Sequence, residues 1–332
     1  MAGQVLPRTY WWRLDGRGRS AFAALALAKT CERVNMTVRH TRKNEQQESS
    51  RCENKNRHKR PLVSIIMPTY NHEEFIDTAI QSVLAQTYPS WELLVVDDGS
   101  TDRTVEIVRQ YQEQAPWIRL VERPHKGIQA LGESYNLALS MAKGELIAIL
   151  EGDDFWPEDK LEKQVPSFED PDVVLTWGIC GYVDAKGNLL GRSRPPKQGC
   201  LSGRQAFRAL LLRNFIPTVT VMVRAHALKA VGFIQPHRAP FVDYPTWFEL
   251  VDQGKLCFVD EVLGFWRVHH SQQTRRLVRM WLGEVSTYMM LWRRGRVRLI
   301  ALLGLLVFLT AKFMRRVALR YLPGVAKTTW AK

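Results

Sequence analysis

The chain has few cysteines, little acid at its C-terminal end and no convincing leader. Cys31, Cys52, Cys180, Cys200 and Cys257 are odd in number, widely spaced and never set as CxxC. That excludes a zinc ribbon and predicts a reducing compartment without a disulfide framework. The first apolar stretch, residues 21–28, is short, Ala-rich and only weakly apolar, so cytosolic synthesis without export is expected. Beyond residue 274 a single acid remains, Glu284, against 13 Lys and Arg. Apolar side chains are nearly missing from residues 38–60, which therefore cannot offset the entropy of folding and are expected to be a disordered linker. Met36, just upstream, offers an alternative start.

What is present in that charge is its distribution. The net charge of +14 divides into +9 over residues 1–60, −7 over 61–274 and +12 over 275–332. An acidic body with two basic ends is drawn to anionic surfaces, of which phospholipid and nucleic acid are the candidates. No zinc-finger, helix-turn-helix or RNP pattern accompanies the charge, so nucleic acid is set aside. Between Arg298 and Lys312 lie 13 uncharged, Leu-rich residues. As a helix they reach ~20 Å, short of the ~30 Å hydrocarbon core of a bilayer. With basic residues at both ends, this segment reads as a membrane-interface or re-entrant helix, the other reading being a helix docked on the body.

From Pro61 onward strand and helix signals alternate. Val63 to Met67 is a buried-strand run stopped by Pro68, and residues 74–86 carry apolar side chains at helical spacing. Strands at 91–96, 118–121 and from Leu146, with helices at 103–112 and 131–142, complete repeated β-α units. Such units predict an α/β, doubly wound, mostly parallel sheet whose ligands gather over the strands' carboxyl ends.

Three strand ends present polar groups to that face: Pro68-Thr69-Tyr70-Asn71, Asp97-Asp98-Gly99-Ser100-Thr101-Asp102 and Glu151-Gly152-Asp153-Asp154. The third places three carboxylates within four positions, and such groups repel unless a proton or a hard cation sits between them. By itself it leaves a divalent-metal site and a solvated acidic loop equally open. A carboxylate at the second end, Asp98, can accept the N3–H of a uracil, while Ser100 or Asp102 can cap the following helix.

Together, Val63-Ser64-Ile65-Ile66-Met67-Pro68-Thr69-Tyr70-Asn71, Gln81 to Thr87, Trp91 to Asp102, Gly127, Asn136, Ala142-Lys143-Gly144 and Asp153-Asp154-Phe155-Trp156-Pro157 resemble family 2 glycosyltransferases over residues 61–274. The resemblance implies the GT-A fold, with a Rossmann-like nucleotide-sugar half at 61–155 and an acceptor half at 156–274. It also implies an inverting transfer from a nucleotide sugar, most often a UDP-sugar, with Mg²⁺ or Mn²⁺. Carried over, Pro68, Thr69, Tyr70 and Asp98 line the nucleoside pocket, Asp153 meets the metal and the ribose-diphosphate, and Asp154 is the principal metal ligand. Many members have Asp at the place of Glu151, whose longer side chain reaches a metal through water or not at all.

Further along, Val242-Asp243-Tyr244 resembles the family's acidic-Asp-aromatic motif, which makes Asp243 the catalytic base, although Val242 replaces the usual Glu. Arg267 and His269 resemble the closing segment near the diphosphate, Arg267 as compensating charge and His269 as metal or phosphate contact, with His270 facing solvent. Lys126 and His125 are lesser candidates for the diphosphate. Trp156, Tyr244 and Trp247 are either sugar-stacking or core residues.

The resulting expectation is an enzyme of cell-surface polysaccharide or glycolipid synthesis with a sugar or lipid-linked acceptor. It is cytoplasmic and peripheral on the inner face of the membrane through residues 275–332. The alternative is a nucleotide-sugar-binding module that has lost catalysis, for which Glu151 and Val242 are the motivating departures.

Overall fold

A computed structural model of the chain describes residues 60–194, 199–234, 242–269 and 277–321. The expected linker before Arg60, the alternative start at Met36, and Cys31, Cys52 and His270 lie outside the described residues. Residues 61–332 form one compact unit.

Its first half follows the alternation of the sequence. β1 (Val63–Thr69), α1 (Ile76–Leu84), β2 (Trp91–Asp97), α2 (Thr104–Gln114), β3 (Ile118–Glu122), α3 (Leu131–Met141) and β4 (Leu146–Ile149) succeed one another. β1 pairs in parallel with β2 and β4, and β2 with β3, giving the order β3-β2-β1-β4. β1 is buried along its whole length, as a strand covered on both faces must be. Its alternate residues divide accordingly: Ile65 and Met67 pack with Ile76, Ala79, Ile80 and Val83 of α1, while Ile66 packs on the other side with Tyr135, Ala138 and Leu139 of α3.

The second half departs from the expected mostly parallel sheet. α4 (Lys160–Gln164), β5 (Val173–Asp184), β6 (Leu189–Arg192), β7 (Cys200–Leu201), α5 (Gly203–Leu212), β8 (Met222–Arg224), α6 (Ala225–Ala230), α7 (Asp243–Leu250) and β9 (Lys255–Val268) extend the sheet as β4-β8-β5-β9-β7. β8 runs antiparallel to both β4 and β5, so the sheet is mixed. β5 and β9 pair in parallel for most of their length, which carries the end of β9 up to the carboxyl ends of the first four strands.

The expected absence of a disulfide is overturned here. β7 and β9 pair antiparallel with Cys200 opposite Cys257, and the two form a disulfide. Cysteines separated by 57 residues became neighbours through sheet register, which no local spacing reveals. Cys180 is free and buried.

Two further helices close the described chain, α8 (Leu277–Arg293) and α9 (Leu299–Tyr321). Tyr288, Leu291, Leu302 and Leu309 belong to the same apolar core as Ile66 and Tyr135. The Tyr288 hydroxyl donates to the Leu211 carbonyl at 2.7 Å and Arg296 Nη1 to the Phe248 carbonyl at 2.9 Å. Among the described residues no helix is long and apolar enough to cross a membrane.

Candidate active site

The carboxyl ends of β1, β2 and β4 meet in one place. The Asp98 amide donates to the Thr69 carbonyl at 3.0 Å, and the Gly152 amide to the Pro68 carbonyl at 3.2 Å. Gly152 has no alternative there, because a Cβ would lie 2.6 Å from Thr69 Oγ1 and 2.8 Å from His72 Nδ1. Gly99 is fixed twice over, by a φ of +73° and by a Cβ position 2.6 Å from the His125 amide nitrogen. The turn between them is tied by side chains: Ser100 donates to Asp97, and the Asn71 amide donates to Ser100 Oγ at 2.9 Å. Neither capping candidate is the N-cap of α2, which is Arg103; Asp102 instead accepts the Thr104 amide at 3.0 Å in the turn that leads into the helix.

Asp98 is surrounded by donors. Arg123 Nε lies 3.1 Å from Oδ1, while His125 Nδ1 at 3.0 Å and the Gly127 amide at 3.1 Å reach Oδ2. The Lys126 amide makes the longest contact, 3.4 Å to Oδ1. Tyr70, half exposed, stacks on His125 with ring centroids 4.2 Å apart. His125 therefore faces Asp98 and Tyr70, and Lys126 spends its ammonium on Glu133 at 2.7 Å.

The third strand end is of opposite character. Carboxylate oxygens of Glu151, Asp153 and Asp154 all lie within 4.8 Å of one another. Burial, with Asp153 and Glu151 alongside, holds Asp154 well above the usual carboxylate range. Burial and Asp153 likewise push Glu151 up to about 7, although Tyr135 donates to it at 2.6 Å. Asp153 also suffers burial, but nearby His72 and His269 bring it below its ordinary value. Hard oxygens crowded in this way fit a divalent cation, with Asp153, Asp154 and Glu151 as the available donors.

β9 supplies the other wall. Phe155 and Phe265 exchange backbone hydrogen bonds at 2.8 and 3.3 Å, which fastens the acidic segment to β9 two residues before Arg267. The Arg267 amide donates to Asp154 Oδ1 at 2.9 Å, and its Nε and Nη1 donate to the carbonyls of Asp153 and Ala185. The guanidinium lies over the rings of Phe75 and Phe155, 4.9 and 5.2 Å from their centroids. His269 is buried and its Nε2 is 2.9 Å from Asp153 Oδ2. It thus partners Asp153, one of the three carboxylates that could hold a metal.

Asp243 opens α7, where its Oδ1 accepts the Tyr244 amide at 2.8 Å and its Oδ2 accepts the Thr218 hydroxyl at 2.5 Å. Burial raises its pKa, and the Thr218 and Tyr244 hydrogen bonds offset part of that rise. Its charge helps to raise both Glu151 and Tyr135, so it acts on the acidic cluster electrostatically. The aromatic candidates are core residues: Trp156 is 3% exposed with Nε1 donating to the Val219 carbonyl, and Tyr244 and Trp247 are 1% and 0% exposed. None offers a face for stacking a sugar.

Four residues of the site escaped sequence reasoning. Arg123 directly follows β3, so the strand-end rule applied to a fourth strand finds it. His72, beside Gly152, sits in the polar stop after β1. Tyr135 in α3 and Thr218 in a 3₁₀ turn carry no local signal; only packing delivers them.

In a mixed α/β sheet of this kind ligands gather over the strands' carboxyl ends, where these carboxylates stand. The profile of Glycosyl transferase family 2 matches residues 64–232, and the chain belongs to that family. It is 30% identical over 237 residues to an uncharacterized glycosyltransferase of Rickettsia typhi, covering 70% of each chain. Similarity extends to Escherichia coli WfgD, named as a UDP-Glc:alpha-D-GlcNAc-diphosphoundecaprenol beta-1,3-glucosyltransferase, at 30% identity over 60% of this chain and 73% of WfgD. Among solved structures, the mannosyltransferase PcManGT of Pyrobaculum calidifontis in complex with GDP-Man and Mn²⁺ shares the fold. Its TM-score is 0.56 at 21% identity, over 81% of this chain and 76% of that one.

Proposed function

We propose that the chain is an inverting, divalent-metal-dependent glycosyltransferase that moves a sugar from a UDP-sugar to an acceptor hydroxyl in cell-surface polysaccharide or glycolipid synthesis. The observation that carries this is the gathering of Glu151, Asp153 and Asp154 within 4.8 Å, with the charge of Asp243 acting on Glu151. WfgD's named donor and lipid-diphosphate acceptor support the UDP-sugar and a lipid-linked acceptor, and the Mn²⁺ of PcManGT supports the metal.

In this reading Pro68, Thr69, Tyr70 and Asp98 form the nucleoside pocket. The base N–H displaces the weakest of Asp98's contacts, the Lys126 amide at 3.4 Å. Asp153 and Asp154 hold the cation, and Arg267 adds positive charge where the diphosphate lies. When bound, the ion neutralises the charge that develops on the departing nucleoside diphosphate. Asp243, partly buried and raised in pKa, takes the proton of the acceptor hydroxyl as that oxygen attacks the anomeric carbon from the side opposite the leaving group. Thr218 and the Tyr244 amide fix its carboxylate in place. A lipid-linked acceptor implies work at a membrane surface, with residues 275–332 on the inner leaflet.

The test is donor turnover with UDP-sugars and Mn²⁺, using a sugar diphospholipid acceptor, in wild type and Asp243→Asn. Expected is a loss of roughly 10²- to 10⁴-fold in kcat with donor affinity kept, the usual span for a general base. Donor binding without turnover by the wild type with any acceptor sinks the reading in favour of a binding module.

A further inference from the structure

We infer that α9 is a two-sided helix, docked on α8 by one face and built to lie on an anionic phospholipid surface by the other. At about 100° per residue, Leu302, Leu305, Leu306, Leu309 and Phe313 share one side. Leu302 and Leu309 are 2% and 1% exposed, and the rings of Phe313 and Trp281 lie 5.7 Å apart. Lys312 secures the same side through Glu284 at 3.1 Å. The side turned away from them carries Ile300, Leu303, Val307 and Met314, each more than half exposed. Ile300 at 85% and Val307 at 71% stand almost free of the protein. Scattered exposed leucines are ordinary, but one unbroken apolar stripe on a helix is a contact surface.

Charge identifies what it contacts. No charged residue interrupts the stripe between Arg298 and Lys312, while exposed Arg293 and Arg298 bound one end and Arg315 the other, with Arg294 and Arg316 nearby paired to Glu249 and Glu284. α9 itself contains no acid. A second copy pairing by this face sets basic end against basic end in either orientation, which is repulsive. The N-terminal 60 residues, at +9, are repelled in the same way. An anionic bilayer complements both features, taking the apolar stripe at the acyl boundary and the arginines among headgroups. Spanning is excluded because the other face is already occupied by α8. The inference rests on this exposed face and not on the carboxylate site, so the two readings fail separately.

Removing residues 275–332 is no test, because Tyr288, Leu291 and Leu302 are part of the domain core. The experiment is co-sedimentation of the full chain with vesicles of phosphatidylcholine alone or with about one-third phosphatidylglycerol, chosen to separate apolar from charge attraction. Wild type, Ile300→Glu/Val307→Glu and Arg298→Gln/Arg315→Gln are compared, with thermal midpoint and turnover of a water-soluble acceptor as controls. Expected is binding to anionic vesicles, weakened about tenfold or more in both variants, with the controls unmoved. Wild type remaining in the supernatant overturns the inference, as does sedimentation insensitive to both variants. A concentration-dependent dimer dissolved by Ile300→Glu/Val307→Glu, with vesicle binding unchanged, overturns it in favour of a second copy. Lost vesicle binding with intact turnover leaves the transferase reading standing.

Discussion

Two strand ends on either side of β1 solve the problem of a buried carboxylate in opposite ways. At the end of β2, Asp98 is met by Arg123, His125 and two backbone amides, so its charge is answered from within the protein. At the end of β4, Glu151, Asp153 and Asp154 crowd together, and two of the three are forced upward in pKa. The first is a finished hydrogen-bonding pocket suited to a neutral base. The second is an electrostatic deficit that only protons or a cation relieve. On the proposed function, that difference separates recognition of the nucleoside from activation of the diphosphate.

The sharpest way to break the comparison is to remove a carboxylate from the deficit. Asp154→Asn is expected to lower kcat by about 10³-fold, the scale of losing a preorganised charge partner in the transition state. It should also abolish stabilisation of the protein by Mn²⁺ in a thermal melt. Because like charges are being relieved, the metal-free variant should melt no lower than wild type. A lower midpoint would mean the carboxylate is chiefly structural.

Asp98→Asn is the matching change at the satisfied end, and its signature should be inverted. Arg123, only 9% exposed at its side chain, is left with its other partners Ser134 and Glu133. Breaking such a buried pair typically costs about 3 kcal/mol. Donor affinity is expected to fall about tenfold, as a mispaired base edge does, with kcat at saturation little changed and the Mn²⁺ effect intact. Calorimetry with the donor nucleotide and chemical denaturation together decide it.

How legible this division was depended on which interactions made it. β1 to β4 were readable because strands buried on both faces appear as short apolar runs, and the polar residues ending them fall at one face by topology alone. Asp98, Asp153, Asp154 and Thr69 followed from that rule. Asp243 and Arg267 needed resemblance, since nothing local tells a loop aspartate from a site aspartate. Tyr135 and the Cys200–Cys257 disulfide were invisible, each depending on a partner set by helix packing or by register between strands. The aromatics misled because Trp156 and Trp247 adjoin the site in sequence while turning into the core.

Titration gives the deficit a pH signature. Glu151 is raised from 4.5 to about 7, so the folded state binds its proton more tightly than the unfolded chain does. The stabilisation this brings is complete below about 4.5 and is lost as pH rises through about 7. The metal-free protein should therefore lose several degrees of thermal midpoint across that window, as a change of a few kcal/mol produces in a domain of this size. Mn²⁺ should stabilise increasingly over the same range, because the proton and the ion compete. A metal effect independent of pH from about two units below to one unit above 7 would deny that competition.

The smallest expected effect is the most discriminating, because it lies between the two modes. Tyr135→Phe keeps the ring in the core and deletes one hydroxyl, the donor to Glu151 at 2.6 Å. That hydrogen bond favours the ionised carboxylate and opposes the upward push of burial and Asp153. Without it Glu151 holds its proton to still higher pH, and the cluster admits a cation only after losing that proton. The Mn²⁺ midpoint for turnover should rise about three- to tenfold at neutral pH, the scale of one hydrogen bond to a charged group. It should return toward wild type about one pH unit higher. Stability should fall by only about 1 kcal/mol, as for a single hydrogen bond lost without a cavity. Equal Mn²⁺ midpoints for wild type and variant at both pH values would show that Tyr135 merely fills space, and that Glu151 takes no part in holding the ion.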